Sequence, residues 1–295
     1  PAEADMVSGL PERVDRILRE ALDDSVFSAA TVAIGRRGHL VLLRGYGSSG
    51  GTGIDASVDP SRTIFDLASL TKVIGTTTAV SLLVDAGKMN LDATVQRYLP
   101  SFQGEGKAKV TIRHLLTHTS GLPAGIWLFG SADSPGEALA QVLRQPLLRE
   151  PGEEVQYSDL GMILLAAAAE EAAGMPLDHF LAARVFAPLG MMSTMYLPPL
   201  VLRHEVVPTA EITERDFPLE GIVHDANSFR LGGLAGHAGL FSTARDLAVF
   251  AQMMLNGGSY GTLRILSGET VDTFTRRQPD AEQRALGWDT PSRVS

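Results

Sequence analysis

Phe65-Asp66-Leu67-Ala68-Ser69-Leu70-Thr71-Lys72 opens a mostly apolar segment that continues to Ala86 and stops at Gly87. The spacing predicts a helix that starts near Ser69 and ends at the glycine. Residues three apart share a helix face, so Ser69 and Lys72 can meet. A serine hydroxyl is a weak nucleophile until a base stands within hydrogen-bond reach. A lysine on a partly dry face can supply that base, because loss of water disfavours its charged form. The helix start also places backbone N–H groups where negative charge develops during attack on a carbonyl. The competing reading is a capping serine and a solvated lysine. Phe65, Leu67, Leu70, Val73 and Ile74 argue against it, since a lysine in so apolar a stretch needs a cleft or a partner.

Upstream, Val14, Ile17, Leu18 and Leu22 recur at helical intervals between charges, giving an amphipathic helix over Leu10 to Leu22. Thr31 to Ile34 and Leu40 to Leu43 are β-rich runs joined by Gly35-Arg36-Arg37-Gly38, the pattern of a hairpin. Downstream, Gly136 to Leu148, Ser158 to Ala173, Pro176 to Val185, Thr243 to Leu255 and Gly268 to Arg277 read as helices. Strands at the start and a long helical middle predict an α/β (α+β) fold with a helical insertion.

The 295 residues are 44% hydrophobic and 20% charged, the composition of an ordinary globular chain. A formal net charge of −9, with no basic stripe, argues against nucleic acid as a partner. The chain has no cysteine, which excludes disulfides, thiolate catalysis and Cys-based zinc sites. The longest apolar run, Leu160 to Ala169, is too short for a transmembrane segment.

Tyr157-Ser158-Asp159 follows the Pro151-Gly152-Glu153 turn. A tyrosine on such a loop can aim its hydroxyl into a cleft. Beside a lysinium it can lose its proton, act as general base, and return the proton to a leaving group. The alternative is a tyrosine that packs its loop over the core. His114 and His118 stand four apart and could bind metal, but no acidic or third ligand lies near them. Trp127 and Phe129 form either a hydrophobic substrate wall or a cap on the helical part.

These segments together resemble the serine β-lactamase and penicillin-binding-protein superfamily, in its class C-type branch of carboxylesterases, D-aminopeptidases and D-alanyl-D-alanine carboxypeptidases. The segment from Phe65 to Lys72 resembles the nucleophile helix, and Leu91-Asp92-Ala93-Thr94-Val95-Gln96-Arg97-Tyr98-Leu99-Pro100 the segment that follows it. Thr111-Ile112-Arg113-His114-Leu115-Leu116-Thr117-His118-Thr119-Ser120-Gly121-Leu122 is the most distinctive run. Pro188-Leu189-Gly190-Met191 and Ser242-Thr243-Ala244-Arg245-Asp246-Leu247 match later framework segments.

The resemblance implies a β-lactamase/transpeptidase-like fold: an antiparallel sheet flanked by helices, with an all-helical lobe. Residues 1–65 and about 205–295 would form the α/β lobe, and about 66–204 the helical one. It implies Ser69 as the acylated nucleophile and Lys72 and Tyr157 as the proton-transfer pair. It implies no metal and no cofactor. The substrate would be a small molecule or peptide: an ester, a D-amino-acid peptide or a β-lactam. A periplasmic or extracellular location is favoured over a cytoplasmic one; the oligomeric state is open. The alternative is a catalytically silent module that recognises peptidoglycan peptides.

The chain departs from the family pattern twice. Asp159 stands where the family's Tyr-x-Asn element has an asparagine that contacts the substrate's acyl-side amide. An ionised Asp159 cannot donate that bond and is expected to pair with Lys72, which favours esters or peptides over β-lactams. His237-Ala238-Gly239 fits the family's Lys/His-x-Gly element by its letters, making His237 and Gly239, with Asp159 and Trp127, the candidate substrate-binding residues. It precedes the Ser242 to Leu247 segment, however, whereas the family's element follows it on a late strand. The expectation is therefore a chain that stops at Ser295 before its last strands.

Overall fold

A computed structural model describes residues 4–50, 57–209, 211–212, 217–281 and 283–291. The amphipathic segment at the start forms α1 (Leu10–Asp23). It lies against the hairpin β1 (Ala29–Arg36) and β2 (His39–Gly47). Arg37 and Gly38 both have positive φ, 52° and 78°, which is what a two-residue hairpin turn of the I′ type requires. Asp15 of α1 pairs with Arg44 and accepts from Tyr46 Oη at 2.6 Å, tying helix to hairpin.

A second sheet carries the site. β3 (Phe65–Asp66) and β4 (Met195–Tyr196) each pair antiparallel with a later central strand. Between β4 and that strand lies the short pair β5 (Glu211–Ile212) and β6 (Phe217–Pro218). The central strand is β7 (Leu240–Ser242), and the hairpin β8 (Ser259–Tyr260) and β9 (Leu263–Arg264) follows it. Among the described residues β1 and β2 pair with each other, and β7 joins β3 to β4, all antiparallel.

The nucleophile segment continues through a π-helical turn, Lys72–Thr77, into α2 (Thr78–Asp85). Then come α3 (Ile112–Leu116), α4 (Pro135–Arg144) and α5 (Asp159–Ala173). α4 stops earlier than its spacing predicts, because Gln145 precedes Pro146 and takes an extended ψ of 133°. α5 is apolar on every face and is buried from Leu160 to Ala169, as a helix without a polar side must be. α6 (Leu177–Leu181) and α7 (Ala187–Leu189) join through a second π-helical turn, Ala182–Phe186, and end at Gly190 in the left-handed region.

α8 (Ala226–Arg230), α9 (Ala244–Leu255) and α10 (Gly268–Thr275) complete the helices. α2, α3, α5 and α6 share one core, which extends to Phe250 and Met253 of α9 and Val271 and Phe274 of α10. A small second cluster, Ile64, Val206, Val223 and Phe241, lies beside β3 and β7. Among the described residues no single helix is long and apolar enough to cross a membrane.

Candidate active site

The short pairing of β3 with β7 delivers the chain to Leu67, whose N–H donates to Leu240 O at 2.9 Å. Ala68 then takes a positive φ of 45°, reversing the chain so that a helix can start at once. A non-glycine residue in this region is uncommon, and strain of this kind clusters at functional sites. Asp66 stabilises the turn: one carboxylate oxygen accepts from Ala68 N–H and the other from His224 N–H, both at 2.8 Å. Burial pushes the Asp66 carboxyl above the usual range, against the pull of these two N–H groups.

Ser69 is exposed at the helix start, where its own N–H precedes the first helical hydrogen bond. Lys72, one turn on, is 3% exposed. Its three N–H bonds have three acceptors: Ser69 Oγ at 2.9 Å, Asp159 Oδ1 at 2.7 Å and His237 O at 3.1 Å. The expected meeting of Ser69 and Lys72 is present, and so is the expected pairing of Asp159 with Lys72. Asp159 begins α5, with its side chain one-third exposed and its N–H donating to Ala124 O at 2.8 Å.

Tyr157 stands over the same ammonium, with Lys72 Nζ 4.7 Å from its ring centroid. The ring of His118 packs against it at 4.6 Å, and the Arg284 guanidinium approaches at 5.6 Å. The distinctive Thr111–Leu122 run thereby acquires its purpose. His118 Nδ1 accepts from Ser158 N–H at 3.1 Å, His118 O accepts from Gln156 N–H, and Thr119 O accepts from Gly152 N–H. The run is a dock for the Tyr157 loop.

Burial, with the positive charges of Arg284 and Lys72, pushes His118 down to about 3, so its ring is neutral and Nε2 carries the proton. His114 has a different task. Its Nδ1 accepts from Thr111 N–H at 3.2 Å in a capping box at the start of α3. Both histidines hold backbone.

The expected contact of substrate with the His237 side chain needs correction. The His237 side chain is buried, and its Nε2 lies 2.9 Å from Asp225 Oδ1. Its ring therefore faces the protein interior, and only its carbonyl reaches the site, through Lys72. Gly239 has φ 116°, and a Cβ there would stand 2.6 Å from Gly233 O. The close approach of Gly233 and Ser228, with this backbone angle, requires a glycine here. Among the described residues the strands after α9, β8 and β9, pair with each other. Beside the nucleophile helix lies an apolar groove of about 740 Å³ lined by Leu70, Val73, Phe250, Met254, Val271 and Trp288.

Trp127 is 56% exposed and meets the edge of Phe129 at 6.0 Å. Its loop is stitched to α8 by Asn227, which accepts from Leu128 N–H and donates to Ile126 O. Ala124 of the same stretch receives the Asp159 N–H. Sequence reasoning missed Asp66 and Arg284. Their only signal was an acidic or basic residue among apolar or glycine-rich neighbours.

The strained turn at Ala68, the buried Lys72 that donates to Ser69 and the Tyr157 ring over the same ammonium make up the candidate site. The chain belongs to the Beta-lactamase family, whose model matches residues 14–292. It is a serine hydrolase of that family, with a β-lactamase/transpeptidase-like fold. A protein of Salmonella schwarzengrund that carries the provisional name D-alanyl-D-alanine carboxypeptidase is 33% identical over 301 aligned positions, which cover 90% of this chain and 69% of the relative.

Solved structures similar to the chain include these two. The Beta-Lactamase/D-Alanine Carboxypeptidase from Pseudomonas syringae superposes with a TM-score of 0.79 at 21% identity, covering 98% of this chain and 77% of its own. EstCE1, a hydrolase with promiscuous acyltransferase activity, gives 0.75 at 26%, covering 96% and 81%.

Proposed function

We propose that Ser69 is the nucleophile, that Lys72 and Tyr157 carry its proton, and that the preferred substrate is an ester or a D-amino-acid peptide. Ser69 Oγ bonds to the carbonyl carbon as its proton passes to the Lys72–Tyr157 pair. The tetrahedral oxyanion forms near the Ser69 N–H, at the positive end of the helix. As the bond to the leaving group breaks, the pair returns the proton to the leaving oxygen or nitrogen, and an acyl-enzyme remains. Water, deprotonated by the same pair, then releases the acid and restores Ser69.

The observation that carries this reading is the single ammonium of Lys72. It touches Ser69 Oγ at 2.9 Å and stands beneath the Tyr157 ring. Asp159 supports the substrate preference. Its carboxylate accepts hydrogen bonds where an asparagine would also donate one, so it is a poor partner for an acyl-side carbonyl. The names borne by the Salmonella relative and by EstCE1 agree with peptide and ester chemistry.

The test is covalent labelling of the protein and of Ser69→Ala with an activated ester and with a fluorescent penicillin. The reading expects an ester adduct of one acyl group per chain that vanishes in Ser69→Ala, and weaker labelling by penicillin. An adduct that survives Ser69→Ala overturns the assignment of the nucleophile.

A further inference from the structure

The chain runs from Gly236 to Leu240 along the nucleophile helix. Three bonds fasten it there. Thr76 Oγ1 donates to Gly236 O at 2.8 Å, Lys72 Nζ donates to His237 O at 3.1 Å, and Leu240 N–H donates to Thr71 Oγ1 at 3.1 Å. The orientation of the His237 carbonyl therefore sets one of three points that fix the ammonium. A peptide carbonyl turns with its own residue, so whatever holds the His237 side chain also aims that oxygen.

Asp225 holds it. One carboxylate oxygen, Oδ1, lies 2.9 Å from His237 Nε2 and also accepts from Ser228 N–H at 2.7 Å. Burial of Asp225 pushes its carboxyl up, but the bonds from His237 and Ser228 and the nearby charges outweigh it and hold the group at about 2. Asp225 is thus a carboxylate at neutral pH, and Nε2 must carry the proton between them. The other ring nitrogen, Nδ1, is buried and has no partner among the described residues. A histidine that leaves half its hydrogen-bonding capacity unused in the interior is held for the other half. Ser228, three residues on, donates to Ala238 O at 2.9 Å, so the first turn of α8 grips this backbone at two successive residues.

We propose that Asp225 and His237 form a positioning pair for Lys72, acting through the His237 carbonyl to keep the ammonium on line between Ser69 and Tyr157. The inference rests on the reading of Ser69 and Lys72 as nucleophile and proton carrier. Neither residue touches the substrate. Loss of the pair misplaces Lys72 without removing it, and a displacement of about 1 Å in a catalytic group costs as much as 100-fold in rate.

The experiment is a pre-steady-state burst with a p-nitrophenyl ester, read as amplitude, which counts competent sites, and as acylation rate constant per site. Asp225→Asn and His237→Leu are expected to keep the amplitude and lose about tenfold to 100-fold in the rate constant, with KM changed less than about threefold. His237→Asn, whose amide N–H can still reach Asp225, is expected to recover most of the rate. Ser228→Ala, a milder loss in the same clamp, is expected to lower the rate less than Asp225→Asn, and it serves if the other variants fail to fold.

A lowered amplitude with an unchanged rate constant in the competent fraction would assign the pair to folding alone and overturn the proposal. So would rates within about twofold of the parent in Asp225→Asn and Ser228→Ala. Ser69→Ala, measured beside them, separates the two ideas. A parent burst that persists in Ser69→Ala sinks the nucleophile, while a Ser69-dependent burst that ignores Asp225 sinks only the positioning pair.

Discussion

Lys72 Nζ and Asp159 Oδ1 are 2.7 Å apart, the shortest of the three contacts that saturate the buried ammonium. The carboxylate at this position takes a proton-donor partner from inside the protein. An amide would keep an oxygen for Lys72 and turn an N–H toward substrate. Asp159→Asn should therefore shift selectivity. The ratio of penicillin to ester acylation rates is expected to rise about tenfold, the worth of roughly one hydrogen bond. Competition between a fluorescent penicillin and an activated ester measures it, and an unchanged ratio would remove Asp159 as a determinant of substrate class.

His118 ties stability to pH. Its folded value of about 3 lies below the ordinary value of 6.5 because the ring is buried near Arg284 and Lys72. The unfolded chain binds the proton more readily, so the stability it confers is complete above about pH 6.5. It is lost as the pH falls toward 3, at up to about 1.4 kcal/mol per unit. Asp225, held at about 2, adds a loss of the same sign below about pH 4. Asp66, Glu170 and Asp246 are raised by burial and act in the opposite sense, their neutral forms being favoured in the fold. The difference between parent and variant isolates the histidine. His118 has a positive φ of 58°, which asparagine tolerates, so His118→Asn is the suitable change. Its urea midpoint should fall less steeply between pH 6.5 and 4 than that of the parent; equal slopes would contradict the assignment.

Much of this site was legible because its parts are local. The i, i+3 spacing of Ser69 and Lys72, the apolar helix over Ser158 to Ala173 and the hairpin turn at Arg37-Gly38 are all dictated by neighbours in the chain. What was not legible joins distant segments. Asp66 meets the backbone of His224, 158 residues on, and Lys72 meets the carbonyl of His237, 165 residues on. A backbone acceptor leaves no trace in residue type. His237 was therefore read for its imidazole, when the group that reaches the site is its carbonyl. Gly239 was likewise read as part of a motif, whereas its backbone angle answers to Gly233.

Gly236 tests how tightly the Lys72 acceptor is held. A Cβ at this position would stand 2.1 Å from Met162 O and 2.6 Å from the Ala166 methyl, both on buried α5. Backbone cannot retreat as a flexible side chain can. Gly236→Ala should cost roughly 1–3 kcal/mol in stability and also lower the acylation rate constant, because this segment must move away from Thr76 and Lys72 together. Denaturant melts and the ester burst would show both effects. A variant as stable and as fast as the parent would mean that this backbone has room to shift.

The last prediction turns on how Tyr157 is held. Its ring lies between His118 and the cations of Lys72 and Arg284, and its loop hangs on backbone bonds to His118 and Thr119. The hydroxyl contributes nothing to that support: it makes no hydrogen bond among the described residues, and the side chain is 46% exposed. Tyr157→Phe therefore removes the proton carrier and leaves its mount intact. The melting temperature should stay within about 2 °C of the parent, since exposed changes away from special features cost little. The acylation rate constant should fall about 10²-fold to 10⁴-fold, the usual share of a general acid–base group. Ester labelling at long times should still reach one adduct per chain, because Ser69 and Lys72 remain. A phenylalanine variant that acylates at the parental rate would hand the whole proton transfer to Lys72.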